Sequence, residues 1–296
     1  MNTHQDCSRR RFIAWGATTA LCACPKLSFA AADSKAAVRF GIVADCHFAR
    51  IPMKINRYYE ESSAKLAECV RDMNRQNVDF LIELGDFKDQ GSTRQDTLSF
   101  LKEIEQVFTA FKGPRYHVLG NHDMDQISKA QFMSHIQNTG IAEDKTYYSF
   151  DGKGFHFIVL DANFRTDGVA YDSGNYDWRE SLIPSEEMQW LAADLAQTNL
   201  PTIVFVHQLL DADKGSVYVR NAAEVRRVLE GSKRVLAVFQ GHHHAGACQQ
   251  VNGILYYTLK SVVEGSGMEN NAYAVVSVSD KHDLKVRGVG RATSYG

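Results

Sequence analysis

The chain has 296 residues, 44% of them hydrophobic and 23% charged, with a formal charge of −2. Such a length and composition fit one large globular domain or two small ones and exclude a disordered or fibrous chain. A mildly acidic balance with no basic run after Arg11 gives no electrostatic reason to bind nucleic acid or an anionic membrane.

The first stretch reads as an address. Ser8-Arg9-Arg10-Arg11-Phe12-Ile13 opens an apolar segment that runs to about Ala23, and small residues follow at Ala30-Ala31-Ala32. A charged region, a short apolar region and an A-x-A-like site make a signal peptide, too short to form a stable membrane span. The paired arginines before Phe12 resemble a twin-arginine signal. Residues 1–32 are therefore expected to be removed, with the twin-arginine export machinery as partner and a periplasmic or secreted product. The alternative is a lipid anchor on Cys24, within Leu21-Cys22-Ala23-Cys24. Cys7, Cys22 and Cys24 fall near this terminus, and the odd set Cys46, Cys69 and Cys248 that remains is no disulfide framework.

Residues 33–296 read as a single α/β domain. Short apolar runs at 38–44, 80–84, 116–119, 202–206 and 235–240 have the look of buried strands. Between them, an apolar stripe predicts a helix over 58–76, and Ser92 or Thr93 caps a second that runs to about Phe111. A short helix follows over 129–136. A hairpin spans 146–160 across Asp151-Gly152-Lys153-Gly154. Residues 161–184 lack periodicity and read as a long loop over the site. Pro184-Ser185-Glu186-Glu187 opens a helix to about Gln197, and another spans 222–229, stopped by Gly231. Antiparallel strands are expected at 247–251, 254–259, 274–278 and 284–287. The early strands are assigned to one sheet, and the hairpin and late strands to the other.

Each of the five buried runs ends in residues that bind metals: Asp45-Cys46-His47, Gly85-Asp86, Gly120-Asn121-His122-Asp123, His207, and Gly241-His242-His243-His244. Strand ends of an α/β sheet line the crevice where such folds hold ligands. Carboxylate and amide oxygens suit hard divalent ions, and imidazoles suit borderline ones. Asp45 and His47, like His242 and His244, are two residues apart and point to one side of an extended segment. Asp86 suits a bridge between two ions. Cys46 is expected to face the core, His117 and His156 to be structural, and His243 to pack behind the ligands.

The order D-x-H, G-D-x-x-D, G-N-H-D, H, G-H-x-H resembles that of the calcineurin-like metallophosphoesterases over residues 38 to 260. The resemblance implies a four-layer α/β sandwich, two mixed β-sheets packed face to face and flanked by helices. It implies one metal on Asp45, His47, Asp86 and His244, and a second on Asp86, Asn121, His207 and His242, the ions being Mn, Zn or Fe. It also implies metal-activated hydroxide as nucleophile and His122 as general acid. Asn56-Arg57-Tyr58-Tyr59 and Leu160-Asp161-Ala162-Asn163 look like the branch of manganese-dependent ADP-ribose/CDP-alcohol diphosphatases, in which the arginine matching Arg57 approaches the phosphates. That branch often carries glutamine where this chain has His47. Purple acid phosphatases have a tyrosine ligand where this chain has Asp89, so their iron chromophore is not expected. The substrate is then a phosphate ester or a nucleotide derivative. A nucleoside-diphosphate-derivative diphosphatase, with Tyr171, Tyr176 and Trp178 as a base-binding wall, competes with a broad phosphomonoesterase or phosphodiesterase. Asn163 and Arg165 could touch the substrate. Outside catalysis, the alternative is a metal-binding member without activity.

Overall fold

A computed structural model describes residues 36–212 and 215–296. The leader expected over residues 1–32, Cys24 included, lies outside the described residues. Among those described, no helix is long and apolar enough to cross a membrane.

Among the described residues, eleven strands form two sheets. They are β1 (Ala36–Val43), β2 (Phe80–Glu83), β3 (Arg115–His117), β4 (Tyr148–Gly152), β5 (Phe155–Val159), β6 (Thr202–Val206), β7 (Val235–Gln240), β8 (Ala247–Val251), β9 (Ile254–Thr258), β10 (Ala272–Ser279) and β11 (Leu284–Gly290). The first sheet has the order β11-β10-β1-β2-β3, and the second β4-β5-β6-β7-β9-β8. Strands β1, β2 and β3 run parallel, as do β5, β6, β7 and β9. The flanking strands β4, β8, β10 and β11 pair antiparallel, so both sheets are mixed.

Period-two alternation builds the layers, because successive strand side chains face opposite sides of a sheet. Ile203 and Phe205 of β6 point between the sheets, while Val204 and Val206 point outward. The inter-sheet core is aromatic. Phe40 stacks on Phe80 at 4.8 Å and meets Phe157, Phe205 and Phe239 edge-on at 5.9, 5.7 and 5.8 Å. These are favoured geometries for ring quadrupoles. On the outer face of the first sheet lie α1 (Glu61–Gln76) and α2 (Arg94–Phe108), with Leu66, Val70, Met73, Leu101 and Ile104 inward. A short α3 (Lys129–Met133) sits beside the third strand end and is opened by a capping box of Ser128 and Gln131. Thr93 forms the same box with Asp96 at the start of α2. On the outer face of the second sheet lie α4 (Ser185–Gln197) and α5 (Ala222–Ser232), with Leu191, Leu195, Val225 and Leu229 inward.

Two expectations need correction. Strands β10 and β11 belong to the first sheet, not the second: β10 pairs with β1 from Tyr273 to Ser279, and with β11 on its other side. The apolar pattern of a strand buried on both faces does not say which sheet it joins. Gly231 does not stop α5, which runs on to Ser232 and ends at Lys233 in the left-handed conformation, φ 57°.

Candidate metal centre

The parallel strands of both sheets end at one edge, and the donor residues leave from there. Asp45 and His47 follow β1, Asp86 follows β2, Asn121 and His122 follow β3, His207 follows β6, and His242 and His244 follow β7. The strand-end loops are bonded to one another. Asp45 N–H donates to Gly85 O, His47 N–H to Asp86 O, and His207 Nδ1 contacts Leu84 O at 2.8 Å. His242 N–H reaches the Asp45 carboxylate at 3.1 Å, a bond from the second sheet to the first. Four donor residues have left-handed backbones: Asp45 (φ 53°), His47 (45°), Asp86 (55°) and His242 (64°). Side-chain-bearing residues enter this region only where the surroundings enforce it, and such residues collect at functional sites.

The side chains of the expected ligands form two groups, and His47 also groups with Asp89 and His122. Asp45, His47 and His244 each offer a donor atom within 4.8 Å of the others, and so do Asp86, His207 and His242. Between the groups lies Asp86 Oδ2, 3.4 Å from His47 Nε2 and 3.2 Å from His207 Nε2. His47 Nε2 and His244 Nε2 face each other at 3.2 Å. Three buried atoms here lack a well-aligned hydrogen bond: Asn121 Oδ1, His242 Nε2 and, despite its 3.2 Å approach to Asp86 Oδ2, His207 Nε2. A buried polar atom without a partner costs free energy. Three such atoms converging with carboxylates fit a pair of cations, and hard oxygens mixed with imidazole fit divalent ions such as manganese or zinc.

The charges suit that use. Burial pushes His47 down to about 4 and His242 to about 3, which keeps both rings neutral and ready to ligate without losing a proton. Burial would raise the Asp86 carboxyl, but His207, His122 and His47 outweigh it and hold it well below the usual range. His122 opposes the trend. Burial works against its charge, yet Asp86 and a hydrogen bond to Asp125 lift it to about 9, so the ring is protonated near neutrality.

A layer of acids orients the donors. Asp89 Oδ2 contacts His47 Nδ1 at 3.2 Å, and Glu264 Oε1 contacts His244 Nδ1 at 3.1 Å, each leaving Nε2 toward the site. Partners of this kind fix the tautomer of a metal-binding histidine. Asp123, the last letter of G-N-H-D, accepts from the backbone N–H groups of Asp86, Phe87 and Gly120. It braces the turn and touches no donor group directly. Asp89 and Asp123 were visible in the motifs, though not their tasks; Glu264 carried no sequence signal.

The remaining candidates divide. Arg57 is half-buried after a two-residue turn at Ile55-Asn56 and pairs through its backbone with Glu264, so it lies on the His244 side. Of the expected aromatic wall, Trp178 is exposed, with its ring centroid 5.9 Å from that of His242. Tyr171 is buried with its hydroxyl on Glu180 O, and the Tyr176 hydroxyl is on Asp125. Asn163 is buried, bonded to Leu119 O and Gln208, and Arg165 pairs with Asp167 in an exposed loop, so neither faces the site. His243 is exposed and packs behind no donor. Cys46 is buried in the core, as expected. His117 lies between Glu105 and Glu83, and His156 between Asp151 and Asp194, both away from the donors.

The model of the family described as Calcineurin-like phosphoesterase matches residues 38–246. A relative from Oryza sativa subsp. japonica, a manganese-dependent ADP-ribose/CDP-alcohol diphosphatase, is 25% identical over 268 residues, covering 76% of this chain and 83% of its own. The Homo sapiens protein of that name is 25% identical over 308 residues, covering 84% and 90%. Among solved structures, a dimetal phosphatase from Danio rerio has the same fold, with a TM-score of 0.76 over 88% of this chain and 98% of its own at 22% identity.

Proposed function

The chain belongs to the calcineurin-like phosphoesterases and is a hydrolase of phosphate esters with a two-metal site, and from that premise we propose that it cleaves the phosphoanhydride bond of nucleoside diphosphate derivatives. The observation that carries the substrate class is Trp178, an exposed ring beside His242 on which a base can stack. The names of the curated relatives, diphosphatases acting on ADP-ribose and CDP-alcohols, support it.

In this reading Asp45, His47, Asp86 and His244 hold one ion, and Asp86, Asn121, His207 and His242 the other. Bound there, the ions would supply Lewis acidity toward the phosphoryl oxygens and a water of lowered pKa. The protein's own groups do the rest. Arg57 offers forked donors to a phosphate oxygen pair. His122, held at Nδ1 by Asp125, delivers a proton to the leaving oxygen. Trp178 orients the base. The N-terminal pattern around Arg9, Arg10 and Arg11 supports removal of residues 1–32 on twin-arginine export, with residues 33–296 as a periplasmic or secreted enzyme; replacing the three arginines with lysine should then leave the activity in the cytoplasm on cell fractionation.

The test is hydrolysis by the protein from Asp33 onward, reconstituted with manganese, zinc or iron. Its substrates are ADP-ribose, CDP-choline, p-nitrophenyl phosphate and bis-p-nitrophenyl phosphate. Preference for the two diphosphates by kcat/KM of about tenfold or more is expected. Trp178→Ala should reduce that preference through KM, because an interaction of equal strength in ground and transition states affects binding and leaves kcat alone. Faster turnover of p-nitrophenyl phosphate would overturn the diphosphatase reading in favour of a general phosphatase.

A further inference from the structure

We propose that Asp125 and Tyr176 form a positioning relay behind His122, which fixes the acid's ring and ties it to the loop that carries Trp178. The inference rests on the reading of His122 as the proton donor to the leaving oxygen.

The relay starts at Asp125, just after the turn His122–Met124. Its carboxylate is divided between two partners: Oδ2 lies 2.5 Å from His122 Nδ1, and Oδ1 accepts the Tyr176 hydroxyl. The backbone of the turn is clamped as well. Buried Lys88 donates through Nζ to His122 O at 2.6 Å and to Asp125 O at 3.0 Å. Asp89, the other nearby carboxylate, already holds His47 Nδ1 with one oxygen and the Gln90 N–H with the other. Asp86 Oδ1 accepts the His122 backbone N–H at 2.8 Å, which leaves Asp125 as the carboxylate hydrogen-bonded to the His122 ring.

Tyr176 comes from the long loop, and its place is built rather than incidental. Its ring stacks on buried Tyr171 at 4.3 Å, 14° from parallel. The loop backbone is laced to the acid's own turn by Ser173 N–H to Ile127 O at 3.0 Å and Gly174 N–H to Met124 O at 2.9 Å. Trp178 stands two residues beyond Tyr176, against His242. One loop thus touches the acid through Asp125 and presents the substrate wall.

The chemistry follows. A Nδ1–H directed into Asp125 leaves the transferable proton on Nε2. Attack by a water oxygen forms the new P–O bond, and the bond to the leaving oxygen breaks with its electron pair on that oxygen. The leaving oxygen takes the Nε2 proton. The neutral ring keeps its Nδ1 proton, still donated to Asp125, and is reprotonated at Nε2 from solvent, to which the attacking water has released its own proton. Asp125 does not change protonation; it holds the tautomer and the ring plane, and Tyr176 keeps the carboxylate from turning away.

The experiment compares the metal-loaded wild type with D125N, Y176F, H122A and the double variant H122A/D125N. The substrates are thymidine 5′-phosphodiesters whose leaving groups run from p-nitrophenol through phenol to an alkyl alcohol. If Asp125 positions the acid, D125N lowers kcat on the alkyl ester by about 10- to 100-fold and on the p-nitrophenyl ester by less than about threefold, with KM unchanged, since a general acid matters most where the leaving group is poor. Y176F follows the same trend less steeply, and D125N adds nothing in the H122A background. A second readout needs no activity: in the metal-free, ¹⁵N-histidine-labelled protein the His122 Nδ1–H resonance should be present in wild type and lost in D125N. Equal losses across the leaving groups, or a further loss on top of H122A, would reduce Asp125 to a structural residue and overturn the proposal. H122A turning over the alkyl ester as fast as wild type would instead remove the acid role itself, a different failure.

Discussion

At Gly120 there is no room for a side chain. A Cβ would lie 2.1 Å from Asp86 N and 2.4 Å from Asp86 Oδ1, against backbone and the carboxylate set between the two donor groups. Gly120→Ala should therefore push Asp86 out of place, lowering stability by about 1–3 kcal/mol and cutting bound metal measured by mass spectrometry to less than half. Gly231 supplies the contrast. It lies inside α5 with nothing within 4 Å of a new Cβ, so Gly231→Ala should be stabilising by about 0.5–1 kcal/mol with metal content unchanged. Equal metal loss in both would mean that the steric argument at Asp86 is wrong. The gathering of the seven expected donor residues at one edge was legible because the motif order places each of them at a strand end. The tasks of Asp123 and Glu264 were not. They depend on which backbone N–H or imidazole edge the fold brings to each carboxylate, and that is a property of the packed loops.

Helix α1 reaches the site without contributing a donor. Lys65, buried on its inner side, donates through Nζ to the carbonyls of Val262, Glu264 and Gly265. That segment carries Glu264, whose carboxylate steadies His244. Burial depresses the Lys65 ammonium from its ordinary value, and the cluster of carbonyl acceptors is what holds it in place. Lys65→Met should cost about 2–3 kcal/mol in urea unfolding, because carbonyls are left unpaired. It should also weaken metal retention on the His244 side, read as faster loss of one of two ions to a chelator. Stability lost with both ions retained equally would show that the helix does not reach the site through this bond. At this scale the sequence was informative about where elements lie and poor about partners. The strand expected at 202–206 and the capping of α2 by Thr93 agree with the structure. The sheet assignment of β10 and β11 does not, because joining β1 from a distance of more than two hundred residues leaves no local trace.

Among the described residues the two sheets meet through an aromatic core and through the donor residues at one edge. The second junction carries atoms without a well-aligned hydrogen bond, Asn121 Oδ1, His207 Nε2 and His242 Nε2, and is the part of the fold an ion would complete. A ligand that binds only the folded state adds about 2.7 kcal/mol at a hundredfold excess over Kd. For a domain of this size that is roughly 5–10 °C in Tm. Chelation should lower Tm by that amount, manganese or zinc should restore it, and Asp86→Asn should respond to neither in differential scanning fluorimetry. An unchanged Tm on chelation would argue against ions joining the sheets. The left-handed turns at Asp45, His47, Asp86 and His242 have a further consequence. Their backbones are stitched to neighbouring loops by the protein's own hydrogen bonds, so the mould is cast before anything is poured into it. The conformational cost of gathering donors from five loops is met during folding, and arriving ions meet a cage of preset spacing, which makes radius and coordination preference, rather than loop closure, the filter on what is admitted.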